Sequence, residues 1–153
     1  MDGFAFAGEA LCGKYFGAEN HSAFQAVLKR LFVWGGIVVV AFTILYLVGG
    51  QSFLSLFTDD EAVLNAATEY FPWAIVIPVA GVAAFIWDGV FIGITETRGM
   101  LYSSVIATII FFLVYIILRP VWHNHALWLA FILYLISRGV IQSIIFRYCK
   151  KVS

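Results

Sequence analysis

Four long apolar stretches constrain this chain more than any other feature of its sequence. Residues 31–50, 70–87 and 99–118 contain no Asp, Glu, Lys or Arg, and residues 126–146 contain only Arg138. A helix that crosses the hydrocarbon core of a bilayer needs about 20 predominantly apolar residues. The pattern therefore predicts an all-α fold, a polytopic transmembrane helix bundle.

The overall composition indicates lipid rather than water as the main solvent. Hydrophobic residues make up 63% of the 153 residues and charged residues 12%, with a mean hydropathy of +0.97. Soluble domains contain about 45–50% apolar and about 25% charged residues, and a short chain has too much surface to hide a larger excess. We therefore expect the lipid bilayer as a partner. The net charge of zero provides no basic surface, so no nucleic-acid partner is expected.

A fifth, shorter segment precedes the first apolar stretch. Residues 2–17 include Asp2, Glu9 and Lys14, which make this segment too polar and too short for an independent span. It is interpreted as the second half of a longer helix. The sequence thus predicts about five helices, which lie at about residues 2–17, 25–50, 59–97, 99–118 and 125–147.

Two of the helix boundaries carry local signals. Thr58 followed by Glu61 fits a capping box, which predicts that a helix begins near Asp59. Pro120 is predicted to end the fourth helix, because proline lacks the backbone donor that would continue it. Residues 122–125 are then expected to form a short turn.

The distribution of basic residues predicts the orientation in the membrane. If successive helices alternate in direction, Arg119 is alone on one side and Arg138 lies within the last helix. The other basic residues share the opposite side: Lys14, Lys29, Arg30, Arg98, Arg147, Lys150 and Lys151. Lys and Arg favour the cytoplasmic side of a membrane. The sequence therefore predicts a multi-pass protein of the inner (plasma) membrane with a cytoplasmic C-terminus.

Asp88 is the first candidate residue for ion coupling or substrate binding. It lies well inside an apolar helix, where a charged side chain costs about 2.5–3.5 kcal/mol on the insertion scale. Burial favours the protonated, neutral carboxyl, so such a group can take up and release a proton during a transport cycle. The alternative is that Asp88 only pairs with a residue on a neighbouring helix.

Asp2 and Glu9 are the second pair of candidates. They are seven residues apart, so a helix places them on one face. Two acids on one intramembrane face are typical of the wall of a cavity that accepts cations. The alternative is that this part of the chain lies at the water surface, where Asp2 is simply solvated.

Several other residues receive a structural interpretation. Arg138 is interpreted as a snorkelling or structural residue, and His21, His123 and His125 as solvated loop histidines. The sequence contains no nucleophile–base pair, metal-ligand set or phosphate-binding glycine loop. Neither an enzyme nor a cofactor or metal site is therefore expected.

Small residues predict close helix contacts. Gly89 and Gly93, and likewise Gly13 and Gly17, have the small-xxx-small spacing that lets helices approach each other in a bilayer. The two cysteines, Cys12 and Cys149, lie at opposite ends of the chain. Each is expected to be a small buried apolar residue.

Two sequence motifs resemble those of a known transporter family. The run DGFAFAGEALCGK at residues 2–14 resembles the DGFAFAxEALVGK stretch of DinF-like members of the multidrug and toxic compound extrusion (MATE) family. The run WDGVFIGITETR at residues 87–98 resembles the later LDGxFIGxTxT segment of that subfamily. Residues 57–59 and 71–73, between these motifs, also fall where the family has similar residues.

The resemblance implies a function as well as a fold. Such transporters have twelve helices in two six-helix lobes, and they export organic and xenobiotic compounds by alternating access, driven by protons or sodium ions. The chain would match the family from the eighth helix onward, as a partial C-terminal lobe, with the N-terminal lobe as its missing partner. The alternative is a truncated membrane fragment that does not transport and has only a structural or partner-packing role.

The resemblance also implies roles for the three acidic candidates. Asp88 matches an acidic position in the tenth helix that family members use for cation or substrate interaction. Asp2 and Glu9 match positions of the subfamily motif. An organic small molecule and a proton or sodium ion are thus the expected ligands.

Overall fold

The computed structural model describes the backbone of residues 2–55 and 60–152 and the side chains of residues 2–50 and 60–148. This part of the chain is all-α and contains no strand. It forms four helices: α1 (Asp2–Gly17), α2 (His21–Ser55), α3 (Glu61–Gly93) and α4 (Thr97–Val152). The predicted all-α helix bundle is confirmed.

The structure has four helices where about five were predicted, because the last two predicted helices are joined at a kink inside α4. Within α4 only His123 leaves helical geometry, with φ 47° and ψ −121°. Pro120 is accommodated inside the helix, where it removes a single backbone donor. This kink lies within the predicted turn at residues 122–125, and one non-helical residue is enough to redirect the chain there.

Polar side chains fix where α2 and α3 begin. Asn20 accepts a hydrogen bond at 3.0 Å from the backbone N–H three residues later, and Asp60 accepts one at 2.9 Å from the N–H two residues later. Such bonds satisfy backbone donors that have no partner in the first turn of a helix. α2 therefore begins at His21, earlier than the predicted residue 25. The predicted capping residues Thr58 and Asp59 lie outside the described residues.

α4 is too long for a single membrane crossing. Its apolar part, Thr97–Tyr148, has 52 residues, which at about 1.5 Å per residue is roughly 80 Å, against about 30 Å of hydrocarbon. The helix instead folds back at His123. A side chain placed on Gly99 would lie 3.0 Å from Ile145 Cγ2, so the two ends of α4 are neighbours. α2, α3 and α4 are each apolar enough to cross a membrane, and the chain is a multi-pass membrane protein.

α3 is the central helix of the described bundle. It packs against α1, α2 and α4. The ring of Phe32 on α2 contacts Trp87 on α3, and Tyr46 contacts Phe71, with ring centroids 5.3 and 6.3 Å apart. The later residue of α2 contacts the earlier residue of α3, so α2 and α3 are antiparallel.

Glycines bring α1 and α3 into backbone contact. A Cβ placed on Gly89 would overlap the backbone of Ala5, and a Cβ on Gly93 would lie 2.6 Å from the carbonyl oxygen of Glu9. The partners follow the same order on both helices, so α1 and α3 are parallel. Only glycine permits two helix backbones to lie this close.

The contribution of α1 to this contact differs from the predicted one. A Cβ on Gly13 would lie 2.9 Å from the carbonyl oxygen of Gly93, whereas Gly17 has no neighbour within 4 Å. Gly8 is the second contact, since a Cβ there would lie 3.5 Å from the carbonyl carbon of Gly89. The predicted packing is confirmed for Gly13 and the α3 glycines, and was wrong for Gly17.

The largest core cluster of the described residues lies where α1, α2 and α3 meet. Its buried members are Cys12, Phe24, Leu31, Ile86, Trp87, Val90 and Phe91. Cys12 is a free, fully buried cysteine, as predicted. The prediction for Cys149 lies outside the described side chains. Asp88 is thus flanked in sequence by core residues.

Candidate functional site

The carboxylate of Asp88 is bound by two side chains from the second half of α4. Arg138 Nη2 lies 2.9 Å from each carboxylate oxygen of Asp88. Gln142 Nε2 donates a second hydrogen bond to Asp88 Oδ1 at 2.7 Å. These three side chains form the candidate site, and it joins α3 to α4.

The candidate site lies inside the protein. The side chains of Asp88 and Arg138 are 15% and 18% exposed, and Gln142 is fully buried. Moving two charges into a low-dielectric interior costs several kcal/mol per ion, and this cost is recovered only when the charges are paired with good geometry. The short contacts to both carboxylate oxygens supply that pairing.

Helix periodicity places both donors on the same face of α4. Arg138 and Gln142 are four residues apart, which is about one helical turn. Gly139 lies between them and allows α4 to approach α3 closely, because a Cβ there would lie 3.2 Å from the backbone nitrogen of Ala84. This approach lets a side chain as short as that of Asp88 reach its partners.

A second polar contact supports the site at the same depth. Trp87 Nε1 donates to Ser143 Oγ at 2.7 Å, and Ser143 Oγ donates to the carbonyl of Gly139, also at 2.7 Å. Trp87 precedes Asp88, and Ser143 follows Gln142. The register between α3 and α4 is therefore fixed by polar bonds from adjacent residues on each helix.

Two atoms of the site have unused hydrogen-bonding capacity. Arg138 Nε is a donor and Gln142 Oε1 an acceptor, and both are buried without a partner among the described residues. A buried polar group that lacks a partner costs about 1–3 kcal/mol. A further polar group that bonds to either atom would therefore stabilise the site.

Asp2 and Glu9 lie away from this site. Both side chains are exposed on α1, as is Phe6 between them. The face of α1 that packs on α3 is the glycine face, and no hydrogen bond or ion pair among the described side chains joins Asp2 or Glu9 to Asp88. Their role in ion coupling or substrate binding stays a prediction.

Sequence reasoning missed the partners of Asp88. Gln142 was not singled out, and Arg138 was interpreted as snorkelling or structural, whereas its guanidinium points at Asp88. A signal was available, because charges inside membrane proteins usually pair with one another. Arg138, the lone Arg of one apolar stretch, and Asp88, which directly follows another, were candidates for such a pair.

A second polar cluster lies near the kink of α4. Trp73 Nε1 donates to His125 Nδ1 at 3.0 Å, and His125 Nε2 lies 3.3 Å from Glu69 Oε1. Tyr70 packs against the His125 ring at 5.1 Å and stacks on Trp128 at 6.1 Å. We refer to these five residues as the kink cluster. The interpretation of His125 as a solvated loop histidine was wrong, because it is partly buried within α4.

Comparison with known proteins gives one family and one relative. Residues 1–118 match the family described as MatE. The DNA damage-inducible protein F of Escherichia coli (strain K12) is 36% identical over 147 residues, which cover 96% of this chain and 32% of that relative. The chain thus spans about a third of the length of the curated relative. No solved structure matches it significantly.

Proposed function

Because the chain belongs to the MatE family, we propose that it is the C-terminal part of a membrane antiporter that exports organic or xenobiotic compounds. Entry of protons or sodium ions would drive the export. The similarity to the E. coli relative over 96% of the chain supports this proposal. The remaining helices, including an N-terminal lobe, would complete the substrate cavity, so they are proposed partners together with the bilayer.

The observation that carries the proposal is the carboxylate of Asp88, largely enclosed by protein, between Arg138 and Gln142. A carboxylate inside an apolar bundle can bind a proton or a sodium ion, whereas the guanidinium of arginine keeps its charge throughout. A cation that binds Asp88 therefore competes with Arg138 for the same oxygens. Asp88 can then either bind the ion or hold Arg138 of α4, and it cannot do both.

This competition gives a physical basis for coupling. With Asp88 and Arg138 paired, the site is neutral. When Asp88 takes up a proton or a sodium ion, the site gains one positive charge, and Arg138 must find another partner. Removing one member of a buried pair costs about 3–5 kcal/mol. Such an energy is sufficient to shift the population between two arrangements of the helices.

Asp2 and Glu9 would act elsewhere in the same transporter. Their exposed side chains on α1 support a role in the wall of the cavity between lobes. We place the end of the bundle that contains Lys14, Arg98 and Arg147 in the cytoplasm. The excess of basic residues at that end of the inner (plasma) membrane supports this orientation.

The ion pair itself favours a second candidate function. If Asp88 serves only to hold Arg138, the site is a structural clamp, and the chain is a membrane fragment that packs with a partner without transporting. The clamp and the coupling site differ in one respect. A clamp needs only compatible side chains at both positions, whereas coupling needs an ionisable group at position 88.

Efflux measurements on paired variants distinguish the two functions. In cells that express the complete transporter containing this chain, Asp88→Asn should abolish ethidium efflux that depends on a proton or sodium gradient. The double variant Asp88→Asn/Arg138→Gln removes both charges and keeps hydrogen-bonding groups. It should fold to wild-type levels and remain inactive. Recovery of gradient-dependent efflux in the double variant would establish the clamp and refute coupling at Asp88.

A further inference from the structure

We infer that His125 is a proton-dependent switch that holds Trp73 and Glu69 of α3 together when neutral and releases Trp73 when it is protonated. The inference concerns the kink cluster and is independent of the proposed transport activity. It starts from the two ring nitrogens of His125, which contact different residues. Nδ1 accepts from Trp73 at 3.0 Å, and Nε2 lies 3.3 Å from the Glu69 carboxylate.

The Trp73 contact defines the protonation state of His125 in this arrangement. An indole N–H can only donate a hydrogen bond, so Nδ1 must offer a lone pair. The imidazole is therefore neutral and carries its proton on Nε2, which points at a Glu69 oxygen. His125 thus bridges two α3 residues that are four positions apart, about one helical turn.

Protonation of His125 is incompatible with this bridge. In the imidazolium form both ring nitrogens are donors, so Nδ1–H would face the N–H of Trp73. The Trp73 bond must then break, while the contact with Glu69 becomes a charge-assisted hydrogen bond and strengthens. The proton taken up by Nδ1 therefore releases the Trp73 indole and leaves Glu69 as the partner of His125 on α3.

The surroundings of His125 favour a switch of this kind. The titratable groups that face it are Glu69 and Tyr70 on α3 and His123 on α4, and all three line the same cleft. Tyr70 packs on the imidazole of His125 and is itself stacked on Trp128. These two contacts restrict the imidazole to small movements. Among the described side chains, Tyr46 of α2 packs against Phe71 near this end of α3.

The position of the switch gives it a structural consequence. Trp73 and His125 line a cleft of about 510 Å³ between α3 and the kink of α4. Release of the indole changes both the shape of this cleft and the bonds that hold the kink against α3. Histidine is the side chain whose charge ordinarily changes between pH 5 and 8, so this is the range in which the switch is tested.

The indole N–H resonance of Trp73 reports the switch directly. The full chain is labelled with ¹⁵N-indole in detergent micelles, the resonance is assigned with Trp73→Phe, and spectra are recorded from pH 8 to pH 5. We expect a reversible shift with a single midpoint in this range. His125→Gln retains an acceptor for Trp73 and a donor for Glu69 but cannot titrate, so it should fold and abolish the shift.

Two further variants separate this switch from general effects of pH. Glu69→Gln removes the carboxylate that pairs with the imidazolium, so the shift of the Trp73 resonance between pH 8 and pH 5 should be smaller. His123→Gln, in the same cleft, should leave the titration of Trp73 present. A Trp73 resonance that does not move in the wild type, or that moves equally in His125→Gln, overturns the inference.

Discussion

The two faces of α3 hold their neighbours differently: glycine also brings α4 close, at Gly139, but only the α4 face carries polar side-chain bonds among the described residues. Toward α1 the contact is made by glycines, and the backbones of Gly89 and Ala5 meet without any intervening side chain. Toward α4 the contact is made by side chains that form hydrogen bonds and an ion pair: Trp73–His125, Trp87–Ser143 and Asp88 with Arg138 and Gln142.

This difference separates a fixed contact from a changeable one. A glycine contact depends on shape alone, and any separation of the two backbones loses dispersion energy without compensation. A polar contact can exchange partners, because a proton or cation can replace a hydrogen-bonding side chain. α1 and α3 are therefore expected to move as one body, and rearrangement is expected between α3 and α4.

The largest expected effect comes from removing the charge of Asp88. Asp88→Leu leaves the buried Arg138 without a counter-charge and should lower the free energy of unfolding by about 3–5 kcal/mol. The double variant Asp88→Leu/Arg138→Met, which removes both charges, should recover most of this loss. Unfolding in SDS-containing mixed micelles, followed by circular dichroism, measures both. Equal stability of the single and double variants would contradict the proposed energetic importance of the pair.

An intermediate effect is expected on the glycine face. Gly89→Ala places a methyl group against the backbone of Ala5, so the helices must separate, at a cost of about 1–3 kcal/mol. Gly36→Ala is the matched control, since Gly36 lies inside α2 with no neighbour within 4 Å. The control should be neutral or slightly stabilising because alanine favours helices. If both substitutions behave alike in the same unfolding assay, close packing of α1 on α3 is not important for stability.

The smallest effect concerns the Trp87–Ser143 hydrogen bond. A double-mutant cycle with Trp87→Phe and Ser143→Ala should give a coupling energy of about 0.6 kcal/mol, typical of hydrogen bonds between membrane helices. Ser143 also donates a hydrogen bond to the carbonyl of Gly139. The stability change of Ser143→Ala alone therefore includes the loss of that bond, and the double-mutant cycle removes this contribution. A coupling energy of 2 kcal/mol or more would show that polar contacts on this face exceed the strength we assign to them.

The sequence predicted elements better than it predicted their interactions. The length of the uncharged stretches indicated the membrane helices, and the spacing of Gly89 and Gly93 indicated a close contact. The kink at His123 was not predictable as a single residue, because Pro120 alone is compatible with an ended helix or a continued one. Which of these occurs depends on the helices against which the segment packs.

In the candidate site, too, the sequence indicated the unusual residue but not its partners. The position of Asp88 in an apolar stretch marked it as unusual, because a charge in lipid needs compensation. Its partners are 50 and 54 residues away along the chain. Helix periodicity relates only residues a few positions apart, so it cannot predict contacts between residues this far apart in the sequence. The same holds for the kink cluster, in which Trp73 and His125 are 52 residues apart.

The sequence by itself determined that this chain is a bundle of membrane helices with a carboxyl group that must be compensated, because apolar length and charge are properties of each segment alone. Only the tertiary structure decided that Arg138 and Gln142 supply the compensation and that His125 joins Trp73 to Glu69. Those contacts depend on the register between α3 and α4. The polar bonds of Trp87 and Asp88 fix that register in the folded bundle, once Gly139 lets α4 approach the α3 backbone.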